Sequence, residues 1–267
     1  MTMARVSLDP DTLDDATRNF APAPLAQPVF INSVPKSGTH LLRNILRMFV
    51  PVEQQHRAAF IQWPNLFENL AAFSAERPRL SWGHLLFSDA SAIETANCRR
   101  LVLVRDPHDW VLARARFFLS AQFSGNLDQL KSGELRVPDL LNLMIFGIHQ
   151  KAPSLADQYL FNAVAWLHTG ALMVRYEDLL RHAGAAGTPE AATYFAQMLD
   201  HCGIAMPADW AIRVVTGADR RQSGTVREKL ATSGKSETMV IPDSLPEGQR
   251  RLIEVAAPGL RTLLGYS

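Results

Sequence analysis

The sequence predicts an α/β fold, with a mainly parallel central sheet flanked by helices in three layers. Three observations carry this expectation. Short apolar runs rich in β-branched residues occur at 29–34, 99–105 and 171–176. Each is followed by a stretch with helical apolar spacing. No internal repeat interrupts the alternation of strand and helix, which is the pattern of a parallel sheet with crossover helices. An apolar fraction of 47% suffices for a substantial core, and 20% charged residues argue against global disorder.

Residues 1–27 are expected to be an extended lead-in, with Ala21-Pro22-Ala23-Pro24 entering the first strand, and 28–267 a single domain. The first unit is a strand at 29–34 and a helix at 41–49. A less regular stretch, 51–78, contains a short helix around 65–73. A second short strand at 80–84 ends at Gly83-His84, and a small helix covers 91–97. The clearest strand, 99–105, stops at Asp106-Pro107, where proline removes a ladder donor. A helix at 108–122 follows, with Asp109 near its positive end. Residues 124–133 form a polar connection. The apolar stretch 137–149 is either a core helix or an apolar lid, and the core reading is the better one. Helices at 156–168, 190–201 and 208–215 and a strand at 171–176 complete the middle of the chain. Residues 219–246 are polar and aperiodic, a long loop of the kind that often carries function. A helix at 248–257 and an apolar tail at 260–266 close the sequence.

Several function classes fall away. A net charge of +1 gives no electrostatic case for a nucleic-acid binder. Cys98 and Cys202 are far apart and fit neither a disulfide framework nor a metal site. No apolar run reaches bilayer length, and residues 1–27 lack the apolar region of a signal peptide. A reducing cytoplasm is the expected setting. The histidines show no zinc spacing, and neither a G-x-S-x-G elbow nor a G-x-G-x-x-G turn is present.

The chemistry concentrates at Val34-Pro35-Lys36-Ser37-Gly38-Thr39-His40, between the first strand and its helix. Free N–H groups at a helix start and the helix dipole favour an anion there. Lys36 adds a cation, and Ser37 and Thr39 add hydroxyls. Lysine precedes the single glycine, so this is not the nucleotide-hydrolase signature, in which it follows the second. Arg105 stands at the carboxyl end of a strand, where a guanidinium suits a phosphate. On the residues alone, pairing with Asp106 or Asp109 is an equal alternative.

Pro-Lys-Ser-Gly-Thr after a strand resembles the 5′-phosphosulfate loop of the sulfotransferases, which use 3′-phosphoadenosine-5′-phosphosulfate (PAPS) as donor. Arg105 matches the family's 3′-phosphate arginine, and Trp82-Gly83-His84-Leu85 resembles the segment with the catalytic histidine. Tyr176-Glu177-Asp178 resembles the segment whose tyrosine lies near adenine. The resemblance implies a P-loop-like three-layer fold. It also implies sulfuryl transfer from PAPS, without a metal, to a hydroxyl or amine of a small-molecule, glycan or lipid acceptor. In this reading His84 is the general base, and Lys36 with the N–H groups of Ser37, Gly38, Thr39 and His40 stabilises the leaving phosphate. Arg105, Tyr176, Thr216 and Gly234 are the further nucleotide contacts. Two positions depart from the family. Ala113 replaces its second 3′-phosphate ligand, a serine, and Arg114 beside it points about 100° away on a helix. Around Gly234 the usual basic pair is missing, leaving Arg227, Lys229 or Lys235 to supply charge. A nucleotide phosphotransferase of the P-loop kinase type and an inactive nucleotide-binding homologue are the alternatives. The sequence leaves the acceptor and the oligomeric state open.

Overall fold

The computed structural model describes residues 5–6, 11–121, 123–125, 127–222 and 240–267. In chain order these form β1 (Arg5–Val6), α1 (Leu13–Phe20), β2 (Val29–Ser33), α2 (Thr39–Arg47), β3 (Leu80–Gly83), α3 (Asp89–Glu94) and β4 (Arg99–Val104). Then come α4 (Pro107–Phe118), β5 (Phe123–Ser124), α5 (Val137–Phe146), α6 (Leu155–Asn162), β6 (Leu172–Arg175) and α7 (Tyr176–Gly184). The last are α8 (Pro189–His201), α9 (Trp210–Ala218), α10 (Glu247–Ala256) and α11 (Leu260–Leu263). No described helix is long and apolar enough to cross a membrane. Two compact units result, one of Pro10–Val104 with Phe161–Gly224, the other of Met1–Asp9, Arg105–Leu160 and Thr225–Ser267.

The first unit holds a four-stranded sheet in the order β3-β2-β4-β6, every pair parallel. All residues of β2 and β3 are buried, which is why their sequences read as continuous runs rather than alternating ones. Successive side chains still serve opposite faces. Val29 and Ile31 join Leu42, Ile45 and Leu46 of α2, Leu179 of α7, Phe195 and Leu199 of α8 and Val214 of α9 in one core. Phe30 joins Ile61, Leu66, Phe73, Leu85 and Cys98 in a second, meeting Phe73 edge-on at 5.4 Å. Each large side chain withdrawn from water contributes about 1.5–3 kcal/mol. Cys98 and Cys202 are buried free thiols, both pushed up to about 12 by burial.

The sequence suggested an extended lead-in where α1 forms. Its amphipathic face buries Leu13 and Thr17, and its start is held by charge: buried Arg47 donates to Asp11 at 2.7 Å and to Asp14 at 2.6 Å. The helix expected around 65–73 is instead a pair of 3₁₀ turns, Trp63–Asn65 and Phe67–Ala72. Asn69 breaks the α pattern there because its side chain bonds the Asn65 carbonyl and His56. Helix α9 crosses α2 so closely that a Cβ on Gly217 would lie 2.6 Å from the Asn44 carbonyl oxygen. From the same helix, buried Arg213 donates to the carbonyls of Met48 at 2.9 Å and Phe20 at 2.7 Å. It thereby satisfies the otherwise open carbonyl ends of α2 and α1.

In the second unit β1 and β5 pair antiparallel, and the polar connection contains β5 and a 3₁₀ turn at Asp128–Ser132. Helix α5 buries Leu140, Leu141, Met144 and Ile145, so the apolar stretch has a core face. Buried Arg114 donates to the carbonyls of Met144 at 3.0 Å and Pro153 at 2.7 Å, with its guanidinium over the Trp110 ring. Asp106 caps the start of α4 and receives both arms of Arg261 at 3.1 and 2.9 Å.

Candidate active site

The chain leaves β2 for β3 on one side and later enters β4 on the other. The carboxyl end of β2 is therefore a topological switch point, where open α/β sheets bind ligands. The turn of residues 34–38 sits there and needs two left-handed residues, Lys36 at φ 69° and Gly38 at φ 93°. Lys36 accepts a conformation unusual for a side-chain-bearing residue, the kind of local strain that collects at ligand clamps. Gly38 is required twice over, since a Cβ would also lie 2.3 Å from Cδ2 of Tyr176. The tyrosine ring thus packs on the turn from the start of α7.

The N–H groups of the turn divide. That of Ser37 is spent on the Val34 carbonyl at 3.1 Å, which corrects the expectation that it faces an anion. Those of Gly38, Thr39 and His40 make no backbone bond among the described residues. The hydroxyls divide as well. Thr39 Oγ1 is buried and lies 2.7 Å from Ser33 Oγ, whereas Ser37 Oγ is buried with no hydrogen-bond partner among the described residues. A cradle with open N–H groups, an unspent hydroxyl and a lysine fits a phosphate-type oxyanion.

His84 follows β3 and is fixed from β2. Its Nδ1 lies 3.0 Å from the Ser33 carbonyl oxygen and 3.0 Å from Ser33 Oγ. A carbonyl can only accept, so Nδ1 carries the hydrogen and Nε2 keeps its lone pair. The backbone is pinned on both sides. The His84 N–H donates to the Ile61 carbonyl at 2.9 Å, and the Leu85 N–H donates to Asn32 Oδ1 at 2.8 Å. Asn32, wholly interior, also donates to the carbonyls of Leu85 and Asn162. Burial pushes His84 down to about 4; Lys36 acts in the same direction, and the Ser33 carbonyl opposes both. The half-buried His40, on α2, is pushed down to about 3 by burial, then by Arg43, Lys36 and His84. Both imidazoles are therefore neutral at neutral pH. Phe60 packs on both, its centroid 5.1 Å from His84 and 5.6 Å from His40.

Lys36, Ser37, Gly38, Thr39, His40, His84 and Tyr176 thus belong to one unit, and the carboxyl ends of two adjacent strands and the starts of two helices carry them. Thr216 is in the same unit on α9, half-buried, with no side-chain hydrogen bond among the described residues. Its neighbour Gly217 meets α2 at Asn44 and Ile45, beyond the turn. Arg105 follows β4 directly and opens the other unit, where its carbonyl accepts the Tyr159 hydroxyl at 2.7 Å. Arg114 is bound up in its own core, so it does not replace the missing serine at Ala113. Gly234, Arg227, Lys229 and Lys235 lie outside the described residues. Sequence reasoning missed Asn32, Ser33 and Phe60. A polar Asn-Ser pair inside an otherwise apolar strand was the available signal for the first two, because buried polar groups need partners.

A family model described as the sulfotransferase domain matches residues 26–183. No curated protein sequence matches the chain. Among solved structures, the mouse sulfotransferase SULT7A1, crystallised with PAP, is similar over 100% of this chain and 99% of that one, with TM-score 0.58 and 14% identity. Retinol dehydratase, solved with androsterone and the inactive cofactor PAP, is similar over 99% of this chain and 90% of that one, with TM-score 0.49 and 14% identity. The first is a likeness of fold, to which the second adds nothing. The family match spans more than half of the chain and takes in the Lys36 turn, His84, Arg105 and Tyr176. By that match, and with a four-stranded parallel sheet covered on both faces, the chain belongs to the sulfotransferase family.

Proposed function

We propose that the protein transfers a sulfuryl group from PAPS to a hydroxyl or amine of an acceptor, without a metal. The observation that carries this reading is the hold on His84 Nδ1 by the Ser33 carbonyl and hydroxyl, which leaves Nε2 its lone pair. An acceptor hydroxyl is a weak nucleophile at neutral pH and needs a base within hydrogen-bond reach. His84 takes the acceptor's proton at Nε2 as the new bond to sulfur forms. When bound, PAPS supplies the sulfuryl group and departs as adenosine 3′,5′-bisphosphate. Lys36 and the N–H groups of Gly38, Thr39 and His40 stabilise the charge that grows on the 5′-phosphate. The Ser37 hydroxyl supplies a further donor, Arg105 binds the 3′-phosphate, and Tyr176, Thr216 and Gly234 contact the nucleotide. The bisphosphate in the mouse structure supports a donor of this nucleotide type.

Calorimetric titration with adenosine 3′,5′-bisphosphate, against ATP–magnesium, tests the donor site on the wild type and on Arg105→Ala. Preferential bisphosphate binding that weakens in the variant supports the reading; a preference for ATP–magnesium sinks it in favour of a phosphotransferase. Release of bisphosphate from PAPS is then followed with a mixture of phenol, alcohol and amine acceptors. His84→Ala and Lys36→Ala are each expected to lose about 100-fold or more in turnover. Near-normal turnover in the His84 variant removes it as the base.

A further inference from the structure

We propose that Phe60 is a positioning residue for the base: its ring, packed against the imidazoles of both His84 and His40, fixes the plane of the His84 ring and keeps water from it. This rests on the reading of His84 as the base and adds the residue that holds it. Phe60 lies in no regular strand, yet its backbone is locked. The next residue, Ile61, pairs in parallel with Gly83, donating its N–H to the Trp82 carbonyl at 3.0 Å and accepting the His84 N–H at 2.9 Å. That approach exists only because residue 83 has no side chain; a Cβ there would lie 1.9 Å from the Ile61 carbonyl oxygen. On the other flank Asn65 Nδ2 donates to the Phe60 carbonyl at 3.0 Å, and the Gln62 N–H donates to Asn65 Oδ1 at 2.7 Å. The same backbone bond that positions His84 therefore positions the ring that covers it.

The ring stands at 41° to His84 and 48° to His40, and Phe60 also packs on the sheet core. Hydrogen bonds at Nδ1 fix where the imidazole is hinged but leave rotation about that edge to packing. Phe60 supplies the packing on one side. His40 meets Phe60 from α2, and its buried Nδ1 has no hydrogen-bond partner among the described residues. The charged groups acting on the two imidazoles are Lys36 in the turn, Arg43 on α2 and Asp11 before α1. At His40 two cations outweigh one carboxylate, at His84 Lys36 acts alone, and both effects add to the burial that keeps the rings neutral.

Proton NMR titration of the whole chain gives a readout that a merely structural role would not move, with His84→Asn and His40→Asn assigning the signals. Phe60→Ala is expected to raise the His84 titration by about one pH unit or more and to admit the second tautomer. Phe60→Leu, which keeps an apolar filler should the alanine variant unfold, moves both readouts the same way but less. Phe60→Tyr restores them. Release of bisphosphate from PAPS, with the mixture of phenol, alcohol and amine acceptors, falls about tenfold or more in Phe60→Ala and Phe60→Leu, while calorimetric bisphosphate affinity stays within about twofold. A His84 titration and turnover unchanged in Phe60→Leu overturn the proposal. The underlying reading fails separately, when His84→Asn keeps wild-type turnover.

Discussion

Gly83→Ala is the sharpest perturbation the site allows, because it moves one methyl group into a place already taken. The new Cβ would lie 1.9 Å from the carbonyl oxygen, 2.8 Å from the carbonyl carbon and 3.0 Å from the Cα of Ile61. Every one of these is backbone, so no side chain can swing away. Ile61 has to move by roughly 1 Å or more to restore ordinary contact, which breaks its bonds to Trp82 and His84 at 3.0 and 2.9 Å. Two backbone bonds at about 1 kcal/mol each, with about 1–3 kcal/mol for overpacking, give a loss of about 3–5 kcal/mol. Urea unfolding followed by tryptophan fluorescence measures it, and the thermal midpoint is expected to fall by roughly 10 °C. Gly184→Ala is the control: nothing lies within 4 Å of its Cβ position, at the end of α7, and it should be neutral or gain up to about 1 kcal/mol. A Gly83→Ala protein within about 1 kcal/mol of wild type would refute the steric argument and, with it, the account of how Phe60 is held.

The pH dependence of stability follows from the two imidazoles. Both are depressed, to about 4 for His84 and about 3 for His40, so below pH 6.5 the unfolded chain takes up protons that the folded chain refuses. Stability therefore declines as pH falls from 6.5 toward 3, by about 3 kcal/mol for His84 alone at pH 4, and these groups add no slope above 6.5. Thermal midpoints at pH 7, 6 and 5 should fall in that order and less steeply in His84→Asn; a flat profile contradicts the burial of both rings. Gly38→Ala is expected to lose bisphosphate binding about 100-fold and to destabilise the fold. Adding Tyr176→Ala recovers part of the stability but little of the binding, since it removes the contact at 2.3 Å and leaves the positive φ; additive effects on stability in a double-mutant cycle would count against that contact. Arg114→Leu, by abandoning the buried Met144 carbonyl and the partly buried bond to Pro153, should cost about 1–3 kcal/mol in urea unfolding with bisphosphate affinity per folded molecule unchanged.

The strands were legible because buried parallel strands advertise themselves as apolar β-branched runs, and the cradle was legible because Lys36, Gly38 and Thr39 fall between strand and helix. His84 was singled out by the resemblance of its segment to the family's and by its place at a strand end. The losses have tertiary causes. Helix α1 reads as a polar segment, and its ion pairs come from Arg47, more than thirty residues away. The helix drawn to residue 122 ends at Phe118, and the Ser120 hydroxyl turns back onto the Phe117 carbonyl at 2.7 Å. Phe60 carries no local signal, since its role comes from the pairing of its neighbour with Gly83. Arg114 reads as an exposed helical cation until α5 is seen to cover it.

The bonds from Arg213 to the carbonyl ends of α1 and α2 set a timetable for the nascent chain. Residues 10–104 supply three of the four sheet strands, but the edge strand β6 and the guanidinium that closes both helices come only after residues 105–160 have been made. At about 5–20 residues per second, roughly 5–20 s separate the synthesis of Val104 from that of Arg213. For the first part of that interval, until Arg175 is made, β4 has an open edge where β6 will pair, the arrangement most prone to pairing with another chain. Ribosome-associated chaperones therefore have their longest opportunity on this protein while residues 105–213 are being made, before the last helix of the sheet unit has been added.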